Sequence, residues 1–187
     1  MATAAQFVPI SYRIDAADRI VWVNGEWAHF AQANDGGSVL PEIILGMKWE
    51  QAVSDPSVRQ LYREILKRVR GGAAVSFDYR CDAPNRRRTF AMTVRPVAEG
   101  AVEFESLLIR EEERPTVVLL EKGCARNDNL VIVCSWCQQV KVAATLWLPV
   151  EEAVAQLRLF EDEAMPRLSH GICVPCRDKM MAELESN

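Results

Sequence analysis

The chain has 187 residues, of which 49% are hydrophobic and 26% charged, and its net charge is −4. These values are ordinary for a folded protein and exclude a disordered, collagen-like or mucin-like chain. Lysine and arginine are scattered and number 22 against 26 acidic residues, so we expect no nucleic-acid partner. The apolar runs fall far short of the ~18 residues of a membrane span, and the N-terminus lacks the features of a signal peptide. We therefore expect no membrane partner and a cytoplasmic location.

The first elements are predicted as a β-hairpin and a short helix. Tyr12–Ile14 and Ile20–Val23 are two β-type runs, and the residues between them suit a hairpin turn. Asn24 can cap a helix that would bury Trp27 and Phe30.

The clearest helix is predicted to follow Asp55. Asp55 can cap it, and Pro56 would occupy its first position, where a missing N–H group costs nothing. Apolar residues recur at helical spacing up to Val69, and Gly71-Gly72 would end the helix. The other face is rich in arginine and lysine and is expected to face solvent.

Three alternating runs then predict an antiparallel meander. They are Val75–Arg80, Phe90–Val94 and Val102–Ile109. In the first two runs large apolar residues alternate with smaller or more polar ones, which predicts one buried and one wetter face of a sheet.

The order of these elements and their local sequences resemble a PAS sensor domain over about residues 9–112. The pieces that carry the resemblance are Ile14-Asp15, Ile20 to Asn24, Trp27, Phe30-Ala31, Asn34, Leu45-Gly46, Trp49, Val75 to Asp82 and Phe90 to Val94. The resemblance implies an α+β fold, with a five-stranded antiparallel sheet and helices on one face. It also implies a sensing or docking role, usually without catalysis. We assign this domain to residues 1–112.

A sensed ligand would lie between the sheet and the helices of such a domain. The residues expected to line its pocket are Val23, Trp49, Phe77, Tyr79, Phe90 and Met92. They offer apolar area and few charges, which favours an uncharged or aromatic ligand. Alternatively, they fill the space completely, and the domain only docks a partner. His29 offers a haem ligand, although an ordinary surface histidine is the more common case.

The strongest chemical signal is a pair of C-x-x-C motifs, Cys134/Cys137 and Cys173/Cys176, separated by 35 residues. Two tight turns of this kind can direct four sulfurs at one point and form a tetrahedral tetrathiolate, which suits Zn²⁺. We predict one Zn²⁺ per chain. His170 lies three residues before Cys173 and is an alternative ligand. A helix from Pro149 to Phe160 is predicted within the gap.

The region around these cysteines resembles a C-terminal extension of bacterial sensor and response-regulator proteins, over about residues 130–180. The matching pieces are Cys134-Ser135-Trp136-Cys137, Trp147, Val150-Glu151-Glu152 and Leu168 to Cys176. The chain departs from that pattern at Gln138-Gln139, where a basic pair is common, and at Val174, where proline is usual. We assign residues 113–129 to a polar, turn-rich connector and 130–187 to a four-cysteine metal-binding module.

Other uses of the cysteines remain open. Val131–Val133 leads into Cys134 as a strand leads into a thioredoxin-like site, although a second C-x-x-C is surplus for that chemistry. Four cysteines also fit an iron–sulfur cluster. Cys81 and Cys124 have no close cysteine in the sequence and are expected to be free thiols.

No catalytic motif stands out, and two histidines leave little scope for acid–base chemistry. The sequence therefore predicts a non-catalytic signalling protein. Its PAS-like domain would sense or dock, and its zinc-bound module would relay to a partner protein. A redox switch, an iron–sulfur sensor or a haem sensor is the alternative. We also expect a homodimer, paired through Met1–Pro9 and the outer face of the sheet.

Overall fold

The computed structural model describes residues 8–34, 36–53, 55–161 and 163–185, which form an α+β fold with two β-sheets. The first sheet contains β1 (Ile10–Ile14), β2 (Ile20–Val23), β3 (Val75–Arg80), β4 (Arg86–Pro96) and β5 (Val102–Glu113). The second contains β6 (Arg126–Cys134), β7 (Val140–Lys141), β8 (Trp147–Leu148) and β9 (Met165–Gly171). The α-helices are α1 (Gly25–Ala33), α2 (Pro41–Ile44), α3 (Pro56–Arg70), α4 (Val150–Gln156) and α5 (Val174–Glu185). Short 3₁₀ helices cover Gly37–Val39, Trp49–Ala52, Ala98–Gly100, Val118–Leu120 and Leu159–Glu161. In these residues we find no helix that is both long and apolar enough to cross a bilayer.

The first sheet has the strand order β2-β1-β5-β4-β3, and every neighbouring pair is antiparallel. The predicted hairpin and the predicted five-stranded antiparallel sheet are therefore confirmed. The last strand, β5, extends to Glu113, four residues beyond its predicted end at Ile109, because it pairs with β4 along its whole length.

The helices cover one face of this sheet, and their caps are those expected from the sequence. The Asn24 side chain accepts a hydrogen bond from the Trp27 amide at the start of α1. The Asp55 side chain accepts two hydrogen bonds from amides in the first turn of α3, and Gly71 caps the other end of that helix. The buried side of α3 packs into a core that also contains Val94 and other apolar residues of the sheet.

The second sheet has the order β8-β7-β6-β9, in which β6 and β9 are parallel. The expectation of a turn-rich connector up to residue 129 is wrong here, because β6 already begins at Arg126 and pairs with Met165 of β9. The predicted helix from Pro149 to Phe160 is also too long. α4 ends at Gln156 and the next residue, Leu157, caps it.

The C-terminal residues pack into the core of the first sheet. The ring of Trp136 lies 5.6 Å from the ring of Tyr62 on α3 and 5.6 Å from that of Phe77 on β3. Arg68 on α3 donates a hydrogen bond of 2.6 Å to the carbonyl oxygen of Leu184 on α5. The cysteine motifs are therefore held against the first sheet by both aromatic packing and a helix–helix contact.

Candidate functional site

The four cysteines of the two C-x-x-C motifs meet at the end of β6 and the start of α5. Cys134 is the last residue of β6, and Cys137 ends the turn that follows it. Cys173 directly precedes α5, and Cys176 lies in its first turn. The second pair was expected in a tight turn, but the structure places it at a helix N-terminus. The helix dipole favours negative charge there, which suits thiolates.

Backbone hydrogen bonds hold the first cysteine turn in shape. The Gln138 amide donates to the carbonyl oxygen of Cys134 (3.0 Å), and the Ser135 amide donates to that of Gly171 on β9 (2.8 Å). A side chain at position 171 would place its Cβ atom 3.0 Å from Cγ2 of Ile132. The lack of a side chain at Gly171 thus lets β9 run close enough to β6 to bring the two cysteine pairs together.

The sulfur positions fit a single tetrahedral metal ion. All four Sγ atoms lie within 4.8 Å of one another. The Sγ atom of Cys173 is 3.7 Å from that of Cys134 and 3.8 Å from that of Cys137. Metal–sulfur bonds of about 2.3 Å place neighbouring sulfurs of a tetrahedron about 3.8 Å apart. The four cysteines could therefore hold a metal ion.

The acidity of the thiols also favours a cation. Hydrogen bonds from the thiols of Cys137 and Cys176 lower the pKa of Cys134 well below its usual value. Their hydrogen bonds to Cys134 raise the pKa of Cys137 to about 12 and move that of Cys176 well above its usual value. Ionisation of Cys134 is thus favoured, and ionisation of Cys137 and Cys176 beside it is disfavoured. A bound cation would supply the positive charge that four thiolates together require.

The remaining metal and thiol residues named from the sequence lie outside this cluster. His170 is exposed on β9 and is not part of the four-residue group. Cys81 and Cys124 are half-buried free thiols, as expected. His29 is exposed on α1, where it lies 3.7 Å from a carboxylate oxygen of Glu26.

A cavity of about 570 Å³ lies between the first sheet and the helices. Tyr79, Phe90 and Met92 line it, as expected. The other three residues predicted for the pocket, Val23, Trp49 and Phe77, do not line it within the described chain and pack in the core instead. Phe77 is kept out of the cavity wall because Trp136, from the first C-x-x-C turn, packs against its ring.

One charged residue of the cavity wall, Arg88, was not among the residues predicted to line the pocket. It lies in β4, two positions before Phe90. Strand alternation held the signal, because Arg88, Phe90 and Met92 occupy every second position and so share one face. On the sheet side of the cavity, the Tyr79 hydroxyl donates to Ser106 Oγ at 3.0 Å.

No family model matches this chain, and no match to it was found among curated proteins.

The cysteine turn and the cavity are joined by one arginine. The Arg80 amide donates to the carbonyl oxygen of Trp136 at 2.7 Å, and its guanidinium donates to that of Cys137 at 3.3 Å. The same guanidinium pairs with the carboxylate of Asp82, a residue of the cavity wall. Arg114 pairs with Asp82 (3.1 Å) and with Glu151 on α4 (3.2 Å). A shift of the cavity wall would thus act directly on the cysteine turn and on α4.

Proposed function

We propose that this chain is a non-catalytic signalling protein. A PAS-like domain, residues 1–112, holds a small molecule in the cavity, and a zinc-bound module, residues 130–187, passes the resulting change to a partner protein. The observation that carries the proposal is the convergence of the four thiols at the spacing of a single tetrahedral site, packed against the same sheet that bounds the cavity.

The thiol spacing supports zinc rather than an iron–sulfur cluster. In a cluster, the cysteines bind different iron atoms and lie farther apart than the edge of one tetrahedron. The separations of 3.7 and 3.8 Å from Cys173 correspond to one ion shared by all ligands. Tetrathiolate sites with no open position are typical of structural zinc. We therefore assign a structural role to the ion.

The architecture of the first sheet supports a PAS-like domain. Its five antiparallel strands, with helices on one face, agree with the arrangement that the sequence resemblance implies. The cavity favours sensing over docking alone, because the apolar side chains between sheet and helices leave about 570 Å³ unfilled. A volume of this size is in the range of small-molecule sites.

The relay follows from the contacts of Arg80. It bonds the carbonyl groups of the first cysteine turn on one side and the cavity residue Asp82 on the other. A metal ion would make the first cysteine turn rigid. A movement of Asp82 would then displace this turn as one unit, together with α4 and α5. The exposed side of α5, which carries Arg177 and Lys179, would then be available to a partner protein.

Native mass spectrometry of protein purified without chelator, combined with elemental analysis, tests the proposal. We expect one zinc per chain, and we expect Cys173→Ser to lose it. The matched control is Cys124→Ser, since Cys124 is half-buried but outside the cluster and should keep the metal. Stoichiometric iron would replace the zinc assignment with an iron site. Metal-free protein with paired cysteines would replace it with a thiol-based redox switch.

A further inference from the structure

Arg88 is a buried cation in the wall of the cavity. Arg88 is only 8% exposed to solvent. Its Nε donates to the carbonyl oxygen of Cys81 at 2.8 Å, and its Nη1 donates to Oδ1 of Asn34 at 2.8 Å. Its guanidinium carbon lies 5.0 Å from the centre of the Phe30 ring. These partners are all neutral, whereas a buried charge is normally paired with an opposite one.

The carboxylate closest in sequence does not neutralise this guanidinium. Asp82 accepts a hydrogen bond from the backbone amide of Arg88 at 3.2 Å, but its ion pairs are with Arg80 and Arg114. The thiol of Cys81 is no substitute anion, because burial raises its pKa. The wall around Asp82 and Arg88 therefore holds more positive than negative charge within the described residues.

A second cation lines the same cavity. The Nζ atom of Lys122 donates to the carbonyl oxygen of Asn34 at 2.6 Å, so that Lys122 and Arg88 both bond to one residue of the rim. The rest of the cavity is mainly aromatic and aliphatic, including Tyr12, Trp27 and Phe90. The cavity thus combines an apolar body with the buried guanidinium of Arg88 on one wall.

We propose that the cavity binds a small organic carboxylate, with the carboxylate paired to Arg88 and an aromatic or aliphatic body packed on the apolar wall. This inference rests on the proposed function of the cavity as a ligand site. It changes the expectation of an uncharged ligand, because the guanidinium supplies planar donors that match a carboxylate. The two neutral hydrogen bonds of Arg88 hold its guanidinium in place before the ligand arrives, which lowers the entropic cost of binding.

Matched probes that differ only in charge provide the test. Isothermal calorimetry would compare 1-naphthylacetate with 1-naphthylacetamide, and decanoate with decanamide, on the zinc-loaded full chain. We expect the better-fitting carboxylate to bind wild-type protein about 10- to 100-fold more tightly than its amide, the range for a hydrogen bond to a charged group. This comparison uses wild-type protein alone, so it does not depend on how any variant folds.

Two variants then test whether the charge of Arg88 causes the preference for the carboxylate. Arg88→Gln should abolish the preference for the carboxylate. Arg86→Gln is the control, because Arg86 lies on the same strand, pairs with Glu111 in a solvent-exposed ion pair and does not line the cavity. The control should retain the preference.

Three results would overturn the inference, and they separate it from the proposed function. Equal binding of acid and amide would refute the carboxylate while leaving the cavity a ligand site. A preference that survives in folded Arg88→Gln would refute the role of Arg88. Failure of all four probes to bind wild-type protein would refute both the inference and the ligand-holding part of the proposed function, whereas the zinc content measured on the same sample tests the metal part independently.

Discussion

Truncation of Trp136 should destabilise the first sheet as well as the cysteine module. Trp136 lies within the first C-x-x-C turn, yet it is only 6% exposed and its ring packs on Tyr62 and Phe77. If the cysteine turn belonged to a separate folding unit, Trp136→Ala would weaken residues 130–185 alone. The observed packing instead predicts that α3 and β3 lose protection too.

The expected magnitude follows from the area that Trp136 buries. A buried tryptophan side chain removes ~200 Å² from water, which at ~25 cal/mol per Å² corresponds to about 5 kcal/mol. Its Nε1 is buried and has no hydrogen-bond partner among the described residues, so truncation also removes an unfavourable term of about 1 kcal/mol. The net loss in the free energy of unfolding should therefore be about 4 kcal/mol, within the usual range for such a truncation.

Urea unfolding and hydrogen exchange by mass spectrometry measure these effects. We expect faster exchange in α3, around Leu61 to Val69, as well as in α5. Trp22→Ala is the matched control, because Trp22 is 39% exposed on the outer sheet face and contacts only the Arg13 guanidinium among the described aromatic and cation–π pairs. It should cost at most about 2 kcal/mol. Unchanged exchange in α3 of Trp136→Ala would refute the shared core.

Three further results are expected. Burial alone would raise the pKa of Glu103, but hydrogen bonds from Arg13 and Arg95 lower it below its usual 4.5. The ionised carboxylate therefore stabilises the fold above that pH, and this stabilisation is lost as the pH falls. In urea unfolding, the difference in stability between wild type and Glu103→Gln should shrink from pH 7 towards pH 3. Burial raises the pKa of Tyr62 from 10.0 to about 12, so wild-type stability should fall as pH rises through that interval, and Tyr62→Phe should resist the fall. Light scattering should report a dimer for the wild type and a monomer for Leu107→Glu, because Leu107 is 37% exposed on the outer face of the sheet. A monomeric wild type would contradict this prediction. The N-terminal segment 1–7, which was expected to contribute to the dimer, lies outside the described residues.

The sequence alone determined the elements whose signals are local. The caps at Asn24 and Asp55, the helical spacing in α3 and the alternation in β3 and β4 each lie within about fifteen residues of chain, and each was found as predicted. The four cysteines that could hold a metal ion were also evident, because the C-x-x-C spacing lets one turn present two thiols to the same point.

Contacts between distant segments were decided only by the tertiary structure. The parallel pairing of β6 with β9 brings Leu130 next to Arg167, although two strands and a helix separate them along the chain. No local pattern specifies which distant strand becomes the partner. The same holds for Trp136, whose indole entered the core of the first sheet instead of its own module. The partners of Arg88 were also decided by the tertiary structure, because its guanidinium packs on the Phe30 ring of α1 and donates to Asn34. A residue's partners in a fold depend on which surfaces remain uncovered once the local elements have formed, and that is a property of the whole chain.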